Sequence, residues 1–312
     1  SFGGAAGTIF VGGPAKFNQD INANNVQGIS PEDYTQSISL LSNQDDFQFN
    51  VITMPGLNQS QHSTEVAQLI NMCQERGDAI AVVDLAPYNS TLLTYTGEAA
   101  ELNSSYAASY APWLRVSDPG TGQLIWVPAS TVIPGVYAFN DRVAEPWFAP
   151  AGLNRGGLST VIKPERKYTQ SNRDTLYVGK VNPIASFPNA GTVVFGQKTL
   201  QTKASALDRV NVRRLLIALK GFISQVSDNL VFEQNSAATR NQFLGSVNPY
   251  LESVQQRQGL YAFKVVMDDS NNTPDVIDRN QLVGAIYLQP TKTAEFIILD
   301  FNVLPTGATF PS

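Results

Sequence analysis

The stretch Ser60–Leu85, SQHSTEVAQLINMCQERGDAIAVVDL, decides the fold. Its first part carries Val66, Leu69, Ile70 and Cys73 at the i, i+3, i+4, i+7 spacing of one helix face, and Gly77 stands where a left-handed stop belongs. Then comes AIAVVDL, Ala79–Leu85, nearly continuously apolar, as a strand covered on both faces of a parallel sheet must be. Upstream, Phe47–Thr53 reads as another strand. Strand, helix and strand within about forty residues predict a right-handed βαβ unit and hence an α/β domain.

Working outward from it, Ser30-Pro31-Glu32-Asp33 is a helix start, with a capping hydroxyl, Pro at the first position and acids in the first turn; the helix runs to about Ser42. Residues 1–29 are rich in Gly and Asn and read as irregular chain. Neither GGAAG nor VGGPA has the spacing of a dinucleotide or phosphate-binding loop. Downstream, a helix is expected around Glu98–Leu102, a hairpin joins Trp113–Val116 to Leu124–Val127 across SDPGTGQ, and a helix capped by Ser130 or Thr131 runs toward Val143. Trp147–Gly157, WFAPAGLNRGG, reads as a tight loop tucked under aromatic bulk.

The chain has 312 residues, 43% hydrophobic and 15% charged, which is enough for two buried cores. Residues 1–163 hold 6 Lys+Arg against 14 Asp+Glu, a net −8; residues 164–312 hold 15 against 12, a net +3. We place the domain boundary at this change, Lys163-Pro164. Neither half is basic enough for a nucleic-acid platform. No run approaches the roughly 18–20 apolar residues of a membrane span, and the N-terminus lacks the pattern of a signal peptide, so a soluble, unsecreted protein is expected. Cys73 is the single cysteine, so no disulfide forms within the chain.

His62, Cys73 and Asp84 are the residues an α/β hydrolase would recruit. His62 and Cys73, eleven residues apart on one helix, would lie about 16 Å apart along its axis, whereas a dyad needs contact near 3 Å. Cys73 is therefore expected in the core, His62 on the surface at the helix start, and Asp84 as a strand-end acid. The acidic turn Asp268–Pro274 lacks the spacing of a calcium loop. No cofactor, metal or catalytic set is expected.

In the second half, Leu176–Val181 and Thr192–Phe195 read as strands, and Ser205–Asp208 resembles a capping box. In the helix that follows, Val212, Leu215, Leu216, Leu219, Phe222, Ile223 and Val226 share a broad face, while Arg209, Arg213 and Lys220 gather at its edge. That edge either faces water or meets a partner. A second helix spans Ser236–Val247, with Pro249 starting or kinking a continuation, and Leu260–Met267 is a strand. The closing pair, LVGAIYLQ from Leu282 and FIILDFNV at Phe296–Val303, reads as two more strands. Phe296, Ile297, Ile298, Leu299, Asp300, Phe301, Asn302 and Val303 form a long apolar strand followed by a Pro- and Gly-containing tail. We read it as a means of joining subunits by strand addition.

WFAPAGLNRG, NRDTLYVGKVNPI at Asn172–Ile184, LDRVNVRRLLIALKGFI at Leu207–Ile223 and VGAIYLQPTKTAEFIILDF at Val283–Phe301 occur in an order that resembles the contractile bacteriophage tail sheath proteins, T4-like in kind. The resemblance implies the C-terminal part of a larger subunit: a three-layer α/β core of the type called the subtilisin-like sheath domain, residues 1–163, then a smaller α+β domain, residues 164–312, with an exchanged or edge strand. It implies a non-enzymatic structural protein of the virion tail, assembled in the host cytoplasm as stacked hexameric rings. It further implies partners in other copies of itself, the tail tube, the baseplate and the tail terminator, with no nucleic acid and no membrane insertion. Arg209, Arg213 and Lys220 become tube-facing candidates. The alternatives are an α/β hydrolase or nucleotide-dependent enzyme, and a non-contractile filament or capsid-associated protein.

Overall fold

The computed structural model describes residues 31–295. α1 (Pro31–Leu41) leads to β1 (Val51–Asn58), α2 (Ser63–Arg76) and β2 (Ile80–Asp84), and β1 and β2 pair in parallel with Val51 opposite Ile80. β1 starts later than Phe47. Arg76 of α2 donates to the carbonyls of Leu41 and Phe47, so the backbone at Phe47 serves a turn instead of a ladder. Gly77 closes α2 at φ 68°, and its amide donates to Cys73 O.

α3 (Leu92–Ala100) and β3 (Ala107–Ala111) follow; β3 lies parallel to β2. This strand, AASYA, is buried at all five positions, and nothing in its Ser/Ala/Tyr composition announces a strand. β4 (Leu114–Ser117) and β5 (Leu124–Val127) form the expected hairpin, then α4 (Ile133–Val143) and the single turn α5 (Gly152–Arg155) lead to β6 (Val161–Pro164). β6 pairs with β4, so a boundary at Lys163-Pro164 falls inside a strand.

The α/β sheet continues past it. α6 (Gln170–Val178) occupies the place where Leu176–Val181 reads as a strand; the Thr169 hydroxyl caps it, and only Leu176 is buried. β7 (Asn182–Phe187) and β8 (Gly191–Val194) then complete a five-stranded sheet in the order β1-β2-β3-β7-β8, with β8 alone antiparallel to its neighbour. The sheet is closed by residues from both sides of the acidic-to-basic change in composition.

Alternation along the strands divides two cores. Ala81, Val83, Ala107 and Ala111 face Val66, Leu69, Cys73, Tyr95 and Leu176 of α2, α3 and α6. Ile80, Val82, Ala108 and Tyr110 face Ile133, Val136 and Tyr137 of α4. Helices on both faces of the sheet make three layers.

A 3-10 turn, Ala206–Asp208, precedes α7 (Val210–Asp228). Ser205 caps that turn through Leu207 N, and extended Arg209 separates it from α7, which has no side-chain cap. α8 (Ala237–Gln256) is capped by Ser236 and runs through Pro249 without ending, held by Phe243, Val247, Leu251 and Val254 in a third core. β9 (Leu260–Val266), the short α9 (Pro274–Asp278) and β10 (Ala285–Pro290) finish the described chain. The third core also takes Trp147, Leu215 and Leu219. α7 therefore serves two cores at once, since Val210 and Ile217 lie in the one beneath α4.

Candidate functional site

The residues a hydrolase would use are built into the scaffold. Asp84, 6% exposed, accepts from the Ser130 amide at 3.2 Å and the Ser130 hydroxyl at 2.5 Å, so Ser130 fixes the turn before α4 instead of capping it. Burial pushes the Asp84 carboxyl up to about 7, against the lowering effect of the two Ser130 donors. His62 is buried at 4% exposure, in contrast to the surface position expected: its Nδ1 accepts from Asn58 N at 3.3 Å and ties α2 to the end of β1. Cys73 is fully buried, its thiol pushed up to about 12 by desolvation, a core residue as expected. Among the described residues, no three His, Cys, Asp or Glu side chains are placed to hold a metal ion.

The basic edge of α7 is turned inward. Arg213, 6% exposed, lies 3.9 Å from the Tyr106 ring centroid and donates to Ser105 Oγ, and desolvation lowers its pKa. Arg214 donates to Asp141 at 2.6 Å and lies 4.6 Å from the Tyr137 ring. Lys220 is exposed, and its Nζ donates to Arg76 O at 2.6 Å. Arg209 pairs with Asp208 at 2.9 Å and with Glu295 at 2.6 Å. α7 is thus the seam between the α/β sheet and the third core. A wheel drawn for one helix shows which side chains share a side, and nothing of what covers the other side.

β9 and β10 form an antiparallel pair, with Val265 opposite Ile286, Lys264 opposite Tyr287 and Phe263 opposite Leu288. Phe263, Val265, Ile286 and Leu288 pack on the third core, while Tyr261, Ala262, Lys264, Tyr287 and Gln289 are exposed. Among the described residues, this sheet has two strands only, so each strand has one side without a ladder. Between β10 and α7 runs a groove of about 360 Å³ whose apolar wall is Leu216, Leu219, Ile223, Ile286 and Leu288, with Lys220, Ser224, Ser227 and Asp228 of α7 also lining it. The ladder partner of β10 is β9; the expected strand Phe296–Val303 lies outside the described residues. The groove was out of reach of pattern reading, because its walls come from residues some sixty positions apart.

The family model described as phage tail sheath protein central domain matches residues 27–200, and that of the phage tail sheath C-terminal domain matches residues 202–304. The chain is 37% identical over 230 residues to the tail sheath protein of Enterobacteria phage T4, covering 74% of this chain and 35% of that protein. It is 42% identical over 185 residues to the tail sheath protein of Vibrio phage KVP40, covering 59% of this chain and 28% of that protein. It spans about a third of the length of the curated relatives it matches. Among solved structures, a sheath complex of an extracellular contractile injection system in its contracted state superposes with TM-score 0.71 at 28% identity, over 85% of this chain and 74% of that one. A chain of the anti-feeding prophage baseplate shares the fold with TM-score 0.74 at 23% identity, over 88% and 74%.

Proposed function

The chain belongs to the phage tail sheath family, and from that premise we propose that it is the inner part of a contractile sheath subunit whose work is mechanical. Subunits stack as hexameric rings around a tail tube, in a virion tail assembled in the host cytoplasm, and rearrange to a shorter, wider sheath that drives the tube through the host envelope. The partners are other copies of the chain, the tube, the baseplate and the terminator, with neither nucleic acid nor membrane insertion in the scheme. The subunit catalyses nothing. The sequence has no GxxxxGK run, so in this reading the work comes from subunit interfaces that are better satisfied after the change than before it.

The observation that supports this most is the side of β10 that borders an apolar groove. A neighbour's extended segment laid there would complete the backbone ladder and cover Leu216, Ile223 and Leu288 in one step. Such a ladder holds subunits together while rigid bodies rotate. The apolar run Phe296–Val303 is the segment of this chain suited to be donated in return. Of the three cations expected to face the tube, Arg213 is buried, Arg209 is bound to Glu295 and the Lys220 Nζ donates to Arg76 O; Lys220, the exposed residue of the three, is the one the proposal keeps on the tube side. Removing residues 296–312 leaves subunits that fold but no longer form tubes in electron micrographs; normal tubes from the shortened chain would refute the reading.

A further inference from the structure

From Thr291 to Glu295, the last of the described residues, the chain forms no strand, yet it is tied down on its way across the molecule. Thr291 Oγ1 donates to Gln258 O at 2.7 Å, and Asn211 Nδ2 donates to Thr293 Oγ1 at 3.2 Å. Glu295 is the most heavily held. Its Oε1 accepts from Arg209 Nε at 2.6 Å and Gln197 Nε2 at 3.3 Å, and its Oε2 from Arg209 Nη2 at 3.0 Å and Tyr177 Oη at 2.7 Å. The carboxylate's side chain is 16% exposed. Tyr177 comes from α6, Gln197 from the chain after β8, and Arg209 from the residue before α7, so three separate segments converge on one side chain.

We propose that this four-donor clamp is the anchor of the C-terminal segment: Glu295, held by Arg209, Tyr177 and Gln197, positions the strand that leaves the subunit and passes its pull to the α/β body. The proposal rests on the reading above, in which that segment is donated to a neighbour. A guanidinium fork on a carboxylate has a fixed direction, unlike a single point contact, so it sets the exit angle as well as the exit point. Without the clamp, tension on the segment would arrive at Thr293 and Thr291 and peel β10 from β9 one residue at a time, starting at Pro290. With it, tension stops at Arg209, at the head of the helix shared by two cores. Burial and the Glu295 charge hold the Tyr177 hydroxyl well above its ordinary value, so it remains a donor at every pH at which the protein is handled.

The test uses the full chain, with spin labels on cysteines placed at Asp174 and Ala294, Cys73 being buried. The unaltered clamp gives a narrow distance distribution in the unpolymerised subunit. Glu295→Gln broadens it, raises the critical concentration for tube formation about tenfold, the effect of losing one charge-assisted interaction, and lowers the thermal midpoint of the subunit by only a few degrees. Tyr177→Phe, which spares the ion pair, shifts both readouts in the same direction by less. Unchanged distances and critical concentration in both variants would overturn the proposal. If the chain lacking 296–312 forms tubes as well as the full chain does, strand donation fails instead, and the label distances still decide the clamp.

Discussion

Asp84 shows at the residue scale how a side chain that looks chemical can be structural. Its carboxyl, raised to about 7 against an ordinary 3.8, binds a proton more tightly in the folded chain than in the unfolded one. The sign follows: the stability it contributes is fully present below about pH 4, falls as pH rises toward 7, and is constant above. Roughly three pKa units correspond to about 4 kcal/mol as an upper limit. Asp84→Asn abolishes this slope, so the difference between variant and parent in denaturant-derived stability changes by up to that amount between pH 4 and pH 8, in the variant's favour at the higher pH. A constant difference across that range would show that the carboxyl stays ionised. His62 carries the same lesson: a lone histidine before a helix reads as a surface residue, but the end of β1 needed an acceptor for Asn58 N, and only the folded sheet brings the two together.

At the scale of elements, α7 and β10 define the groove on which assembly depends. Ile223 is half-buried on its wall, so Ile223→Asp puts a charge where an incoming strand must lie. We expect about 1–3 kcal/mol of destabilisation of the isolated subunit and a complete loss of tubes by light scattering, the second effect far exceeding what the first explains. Tubes that persist at normal yield would place the docked strand elsewhere. The amphipathic pattern of α7 was legible, since apolar spacing is a property of the helix alone. Its basic edge was misleading for the same reason: Arg213 is covered by Tyr106, from the chain before β3, and the helix wheel contains no term for a neighbour. Likewise α6 reads as a strand through Leu176–Val181, but the Thr169 cap and the single buried position at Leu176 make a helix adequate there.

For the whole molecule, the sharing of α7 between two cores means that the sheet and the third core unfold together. Leu215→Ala in the third core costs about 2–5 kcal/mol, and the loss is felt in both bodies. Far-ultraviolet circular dichroism and tryptophan fluorescence, to which Trp113 beside the sheet and Trp147 in the third core both contribute, should therefore give one coincident transition in the variant as in the parent; separated transitions would show that the third core melts alone. The βαβ unit, the hairpin of β4 and β5, the α8 and β9 elements and the sheath-like order of motifs were all determined by the sequence, because hydrophobic period, caps and turn residues act within a few positions of one another. Where the α/β sheet ends, which way the cations of α7 point, and the groove beside β10 were decided by tertiary structure. Each depends on residues that approach one another only after the chain has folded, and burial, which sets their chemistry, belongs to the packed surface rather than to any segment of it.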